Sequence, residues 1–295
     1  MSARTVATRV WAAFRVLLVL TVVCGFIYPL AVLAVAQLPG LRHHAAGSLV
    51  TVDGKTVGSA LIGQAYTDAK GNPLVQYFQS RPSAAGAGYD PDATSASNLG
   101  PENIVDTLAN PADASDTGKQ SLLTQVCSRS KAIGALEDVD GRRPYCTDSG
   151  VGAVLGVFFR DGDTGPVTRV VSLNQECPAV PFLATYRGVR VECARYGQDY
   201  SKAVITPIRG DAPAHPAVPA DAVTASGSGL DPNISLAYAD LQIPRVAKAR
   251  GVTVEQVAAL VRQHEKGRAL GFLGEPVVDV LALNIALDQT YPYHH

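Results

Sequence analysis

From Val16 to Leu38 the chain is almost continuously apolar, and no charged side chain occurs between Arg15 and Arg42. At about 1.5 Å per residue, this stretch in a helix extends about 34 Å, enough for a hydrocarbon core of roughly 30 Å. A single segment in lipid can satisfy its own backbone only as a helix, so the pattern predicts a membrane span over 16–38 behind an arm over 1–15. The arm carries Arg4, Arg9 and Arg15 and no acidic residue. That excess of Arg places the N-terminus in the cytoplasm and the rest of the chain outside. Ala34-Val35-Ala36 has the small-x-small form of a signal-peptidase site, but the apolar run before it exceeds the usual h-region of about 7–15 residues. Cys24 follows Val22-Val23, where a lipoprotein site needs small residues. A retained anchor is therefore expected.

Within the span, Gly25 and Tyr28-Pro29 stand out. Proline removes a backbone donor and kinks a helix. The pattern is either a bend without a partner or a small-residue face that packs on another membrane helix.

Beyond Pro39-Gly40 the periodicity changes. Ser48–Val52 and Lys55–Ile62 flank Asp53-Gly54, a two-residue hairpin signal. Gly54-Lys55-Thr56 resembles the end of a phosphate loop, but the required earlier glycine is Leu49. The run from Gly63 to Pro101 is periodic for neither helix nor strand, yet spaces Tyr77, Phe78, Arg81, Tyr89 and Asn98 along it. An ordered loop packed against a partner is expected there. Next come a helix over Gly118–Ala135, strands over Val151–Arg160 and Val167–Asn174, and a hairpin of Leu183–Tyr186 with Val189–Ala194 across Arg187-Gly188. Asp161-Gly162-Asp163 lacks the spaced ligands of a calcium loop and is turn chemistry. Pro213, Pro216 and Pro219 mark a stiff connector. Ser235 can cap a helix interrupted at Pro244 and stopped near Gly251. Thr253 and Gln256 form a capping box for another helix to about Glu265, and a last helix follows Asp279 and closes at Asp288.

The chain has 295 residues, a net charge of −1, and is 47% hydrophobic but only 17% charged. That balance excludes a basic nucleic-acid face. Of the five cysteines, Cys24 lies in the span, while Cys127, Cys146, Cys177 and Cys193 lie beyond it. An even number outside the cell predicts two disulfides, with three possible pairings; pairing nearest neighbours would close loops of about 15–20 residues. With no C-x-x-C spacing, zinc is not expected. The fold class is α+β: one N-terminal transmembrane helix, then an extracytoplasmic mixed domain with a disulfide-stapled β-rich insertion.

No catalytic set emerges. His43-His44, His215, His264 and His294-His295 have no acidic or cysteine partner at a recognisable spacing, and Ser228 lacks the second glycine spacing of a nucleophile elbow. The residues point to an accessory or binding role, without a metal or a directly bound cofactor.

Several motifs carry a resemblance. They are Gly25 with Tyr28-Pro29, Gly58 to Gln64, Tyr77-Phe78 with Arg81-Pro82-Ser83-Ala84, and Ser97-Asn98-Leu99-Gly100-Pro101. To these add Val223 to Ser235 with Ser226, Gly227, Ser228, Gly229, Leu230 and Asp231, then Gln242 to Ala247, Leu270 to Pro276 and Leu283 to Asp288. In this order and spacing they resemble the C subunit of the Kdp potassium-transporting ATPase, over roughly 9–103 and 221–289. The family's core version joins the two blocks by a short helical segment, whereas here a long stretch with all four outward cysteines intervenes. Thr94-Ser95-Ala96 also replaces its usual Ser-Gly-Gly step.

The resemblance implies a family-like domain over 39–103 and 218–295, with 104–217 inserted. It implies a non-catalytic subunit needed for assembly, whose partners are a channel-like potassium-selective subunit and a P-type ATPase subunit. Potassium and ATP then belong to the complex, and the family's catalytic-chaperone role raises the ATP affinity of the hydrolysing subunit. The expected docking elements are the helix at Gly25, Tyr28 and Pro29, and the loops holding Gln64, Arg81-Pro82-Ser83, Ser97-Asn98-Leu99-Gly100 and Ser226–Asp231. A stand-alone membrane-tethered binding or sensory module is the alternative that the sequence leaves open.

Overall fold

A computed structural model describes residues 3–96 and 98–293, and the chain forms two units, Met1–Leu61 and Ile62–His295. In the first, helix α1 (Ala3–Val22) continues through a π-helical turn, Val23–Ile27, into α2 (Tyr28–Ala36). Helix begins well before Val16 because nothing between Ala3 and Arg15 breaks it, and Ala and Arg are strong helix formers. Pro29 cannot donate and its ring crowds the carbonyl four residues back, that of Gly25. The chain answers with one wide turn, in which the Tyr28 N–H donates to the Val23 carbonyl, so the helix is not broken.

A short helix α3 (Arg42–Ala45) leads to β1 (Leu49–Val52) and β2 (Lys55–Ser59), antiparallel across Asp53-Gly54. Both turn residues have positive φ, 50° and 76°, as a type I′ turn requires. The second strand ends at Ser59, short of Ile62. There the Ser59 hydroxyl donates to the Gly47 carbonyl (2.7 Å) and accepts the Leu61 N–H (3.1 Å).

The second unit opens with the long loop over 62–121 and helix α4 (Leu122–Glu137). Ser121 caps α4 by accepting the Thr124 N–H, and Asp138 ends it in the left-handed region. Five strands follow: β3 (Val154–Asp161), β4 (Thr164–Glu176), β5 (Thr185–Tyr186), β6 (Val189–Ala194) and β7 (Val204–Pro207), ordered β5-β6-β4-β3-β7. Both expected hairpins form, and β6 joins β4 in parallel. Val154, Val171, Leu173 and Ala194 pack on one side with Ile104, Leu108 and Leu123. Leu155, Val157, Val170 and Val191 form a separate cluster with Phe182 and Leu183. Neighbouring residues along β3 and β4 thus enter different clusters, and a sheet covered on both faces reads as an unbroken apolar run. Cys127–Cys146 and Cys177–Cys193 are disulfides, with Cα separations of 5.4 and 5.1 Å.

The main core lies under α5 (Ala220–Val223), α6 (Leu236–Arg250), α7 (Val254–Gln263) and α8 (Val280–Thr290). A small sheet β8-β10-β9 joins it, made of β8 (Asn233–Ser235), β9 (Glu265–Lys266) and β10 (Val277–Asp279). Phe78, Ile234, Ile243, Val246, Val257, Leu260, Leu283 and Leu287 fill this core, and Val126 and Ile133 of α4 pack against it. The capping box at Thr253–Gln256 and the Ser235 and Asp279 caps start the three helices as their sequences predict. Pro244 does not interrupt α6. Ile243 precedes it and Val246 and Ala247 follow it, all buried, and packing on both sides of the proline outweighs its missing hydrogen bond.

Candidate functional site

The membrane rod offers one candidate surface. Every described residue of α1, the π turn and α2 except half-buried Ala36 is exposed, and Tyr28 is 67% exposed. A Cβ built on Gly25 would meet only Thr21 Cγ2, at 4.0 Å, so no described neighbour in its own unit explains that glycine. Beside it, Tyr28, Pro29, Val32, Leu33 and Ala36 line a groove with Arg42 and Ala45 of about 550 Å³. Apart from Gln37 and Arg42 at its outer end the groove is apolar, as suits a helix partner in lipid. Trp11 and Phe14 stack at 5.7 Å nearer the N-terminus.

In the second unit, the loop motifs are bound to each other. Arg81 donates to an Asp231 carboxylate oxygen (3.2 Å) and to the carbonyls of Thr224 and Ala225 (both 3.3 Å). The other Asp231 oxygen accepts the Asn233 N–H (3.0 Å). Ser83 donates to the Gly229 carbonyl (2.6 Å) and accepts the Tyr89 N–H (2.8 Å), while the Tyr89 hydroxyl donates to the Arg81 carbonyl (2.6 Å). Burial pushes the Tyr89 phenol up to about 12, and the Asp231 charge adds to this. Gly63 bonds the Leu230 carbonyl (2.9 Å), and a Cβ there would sit 2.4 Å from the Tyr89 ring and 2.7 Å from the Asp231 carbonyl oxygen. Gly229, at φ +72°, has the Ser95 carbonyl and Ala85 N–H where a Cβ would be. Two loops some 145 residues apart are thereby locked together. The expected packing partner of the 63–101 loop is largely the chain itself.

Gln64 is part of the lock through its carbonyl, which accepts the Ser80 hydroxyl (2.8 Å). Pro82 and Ser83 border a cavity of about 190 Å³ with Tyr66 and Tyr89. Ser226 and Ser228 stabilise the turn, accepting the N–H groups of Asp231 (3.4 Å) and Leu230 (3.1 Å), and no side-chain neighbour crowds Gly227. Asn98 is exposed, Leu99 and Gly100 are half-buried, and Ser97 lies outside the described residues.

A second set of residues, absent from the expectations, holds the Leu74–Arg81 segment. Asn284 of α8 accepts the Phe78 N–H (2.9 Å) and donates to the Phe78 carbonyl (3.0 Å). Gln242 of α6 does the same for Gln79, at 2.6 and 3.1 Å. Each amide acts as a neighbouring strand would, pairing an extended residue's donor and acceptor. Arg250 donates to the Gln76 and Tyr291 carbonyls and to Asp288, each at 2.8 Å. Arg245 donates to the Tyr77 carbonyl (3.0 Å) and to both oxygens of Glu137 (3.0 Å), and both side chains are buried. Burial raises the Glu137 carboxyl above its ordinary value, with Arg245 opposing. Gln242 and Asn284 did carry a signal, since each is a polar residue inside an apolar helical pattern, and such a residue needs a buried partner.

Among the described residues no three His, Cys, Asp or Glu side chains cluster as metal ligands. His264 sits at the end of α7 against the Leu260 carbonyl (2.9 Å), and His294-His295 lie outside the described residues.

The family described as "KdpC: K+-transporting ATPase, c chain" matches residues 10–124 and 194–289. A potassium-transporting ATPase KdpC subunit of Kineococcus radiotolerans is 38% identical over 276 residues, 94% of this chain and 91% of its own. The KdpC subunit of Mycobacterium bovis is 36% identical over 277 residues, 94% of this chain and 96% of its own. That of Caulobacter vibrioides is 37% identical over 273 residues, 92% and 88% of the two chains. Matches this long must run through most of 104–217, so these relatives share the long middle segment. The chain belongs to the KdpC family.

Proposed function

We propose that this chain is an accessory subunit of a potassium-transporting ATPase complex, working by docking and without a chemical step of its own. The helix spans the membrane over 16–38 with the arm 1–15 in the cytoplasm, and the remainder is extracytoplasmic. Three arginines before the span and none of the opposite charge support that orientation, as do two disulfides, which persist outside the cytosol. The helix packs on a channel-like potassium-selective subunit through Gly25, Tyr28 and Pro29. The outer domain, 39–103 with 218–295 and carrying 104–217, presents the locked loops of Arg81, Ser83, Asn98 and Asp231 to that subunit's entrance. Potassium is bound by the channel-like subunit and ATP by a P-type ATPase subunit, and the chain acts on ATP affinity only through the assembled complex.

The observation that carries this reading is Gly25 inside a π turn on an apolar helix whose own described unit places only Thr21 near that glycine, in a KdpC-family protein. Gly25→Leu fills the close-approach site while keeping helix propensity. The variant is expected to lower recovery of intact complex at least about tenfold, the effect of losing about 1.4 kcal/mol of association free energy. Unchanged co-purification and potassium uptake would refute the docking. The stand-alone tethered module is not favoured, because relatives named as ATPase subunits match nearly the whole chain.

A further inference from the structure

Between β9 and β10 the chain makes a small hairpin whose tip is apolar. Leu270, Phe272 and Leu273 are 83%, 69% and 50% exposed, in a unit that buries its other C-terminal leucines at Leu281, Leu283 and Leu287. Leu270 and Gly271 have φ of +55° and +81°. A bend of this kind favours Asn-Gly, and a leucine there carries a steric cost that solvation does not offset. An exposed apolar residue at a strained position breaks two local rules at once, and such breaks concentrate at functional positions.

The hairpin's backbone is nearly closed on itself. Ala269 and Leu273 exchange both hydrogen bonds (2.9 Å each), the Gly271 N–H donates to the Arg268 carbonyl (3.1 Å) and that of Phe272 to Ala269 (3.3 Å). Charges stay at the neck, where Arg268 pairs with Glu275 (2.6 Å) and Lys266 with Asp279 (2.9 Å), and none lies on 269–274. The tip offers roughly 350 Å² of apolar surface, less than half of one partner's share of a stable protein interface. That is too little for a second copy, whereas a lipid surface sets no such minimum. Backbone groups satisfied at home are also what a lipid environment demands.

We propose that the Leu270–Leu273 tip inserts into the interfacial layer of the bilayer that the chain's own helix crosses, giving the outer unit a second, shallow attachment. The inference rests on the Ala3–Ala36 helix being a membrane span. That span keeps the tip at high effective concentration near lipid, so a small apolar area suffices.

Trp11 is the chain's sole tryptophan, so the two claims can be tested separately. The full-length chain is reconstituted into phosphatidylcholine vesicles containing one quarter phosphatidylglycerol, with or without lipids brominated near the headgroup end of the acyl chain. In Trp11→Phe/Leu18→Trp, the indole lies about one turn inside the 16–38 segment, and its quenching reports the span. In Trp11→Phe/Phe272→Trp, and separately in Trp11→Phe/Leu270→Trp, quenching reports the tip. The expected result is a blue-shifted tip indole losing emission about twofold in brominated vesicles, with the loss abolished by adding Leu273→Glu. A quenched indole at position 18 with an unquenched, water-like tip indole overturns the proposal and leaves the span standing. A blue-shifted but unquenched indole assigns the tip to a protein surface and overturns it equally. An unquenched indole at position 18 removes the span, and the proposal with it.

Discussion

Replacing Gln242 by Leu tests the clamp on the Leu74–Arg81 segment. Gln242 is fully buried, accepts the Gln79 N–H at 2.6 Å, donates to the Gln79 carbonyl at 3.1 Å, and also accepts from Arg245 at 2.9 Å. Leucine keeps most of the volume, so the cavity contribution is small. What is lost is hydrogen bonding: one backbone donor and one acceptor stay buried without partners, at about 1–3 kcal/mol each. Arg245 keeps Glu137 and the Tyr77 carbonyl, so its loss adds little. The expected destabilisation is about 3 kcal/mol, or about 6–12 °C in a unit of this size. Circular dichroism at a helix wavelength, on the full chain in mild detergent, gives the midpoint. Hydrogen exchange localises the effect, with Phe78 and Gln79 amides losing protection before the β3–β4 sheet. A midpoint within about 2 °C of the parent, with Gln79 still protected, would refute the reasoning.

Gly63→Ala forces a Cβ to within 2.4 Å of the Tyr89 ring and 2.7 Å of a backbone oxygen. It should cost about 2 kcal/mol and loosen the Arg81–Asp231 lock, seen as faster exchange at the Tyr89 amide; a parental exchange rate would contradict the close approach. For Glu137, burial raises the folded-state value above the ordinary 4.5, so the folded chain binds the extra proton. Its contribution to stability is therefore largest at low pH and declines as pH rises from 4.5 towards neutrality. The parent should thus lose stability relative to Glu137→Gln across that rise, and parallel midpoint-versus-pH curves for the two would disprove it. Reduction should remove about 3 kcal/mol per disulfide, since Cys127–Cys146 and Cys177–Cys193 span 19 and 16 residues; an unchanged denaturation midpoint in dithiothreitol would show that they staple nothing.

How far the sequence carries depends on the range of the physics. The apolar helix, the Asp53-Gly54 turn, the Thr253–Gln256 box and the two β hairpins are decided by residues a few positions apart, and each formed, although the helix starts at Ala3 rather than Val16. Pro244 misled because its local cost is real but is overridden by Ile243, Val246 and Ala247 packing on a core assembled from distant segments. The strands β8, β9 and β10 have three residues or fewer, too short to show an alternation. The lock between Arg81 and Asp231 joins motifs that both stood out, but their 150-residue separation hid that they bind each other. Glu137 carried no signal at all: its partner Arg245 lies 108 residues on, in a block that the sequence set apart from the middle segment.

The central claim is that the apolar N-terminal helix binds this chain to a transporter built of other subunits. A mild-detergent pull-down on the tagged full-length chain, expressed with and without the candidate partners, tests it most directly. The account predicts a stoichiometric complex with a channel-like and an ATP-hydrolysing subunit, and loss of potassium uptake when the chain is deleted. A chain that purifies alone as a stable monomer in their presence, with uptake intact after its deletion, would contradict it.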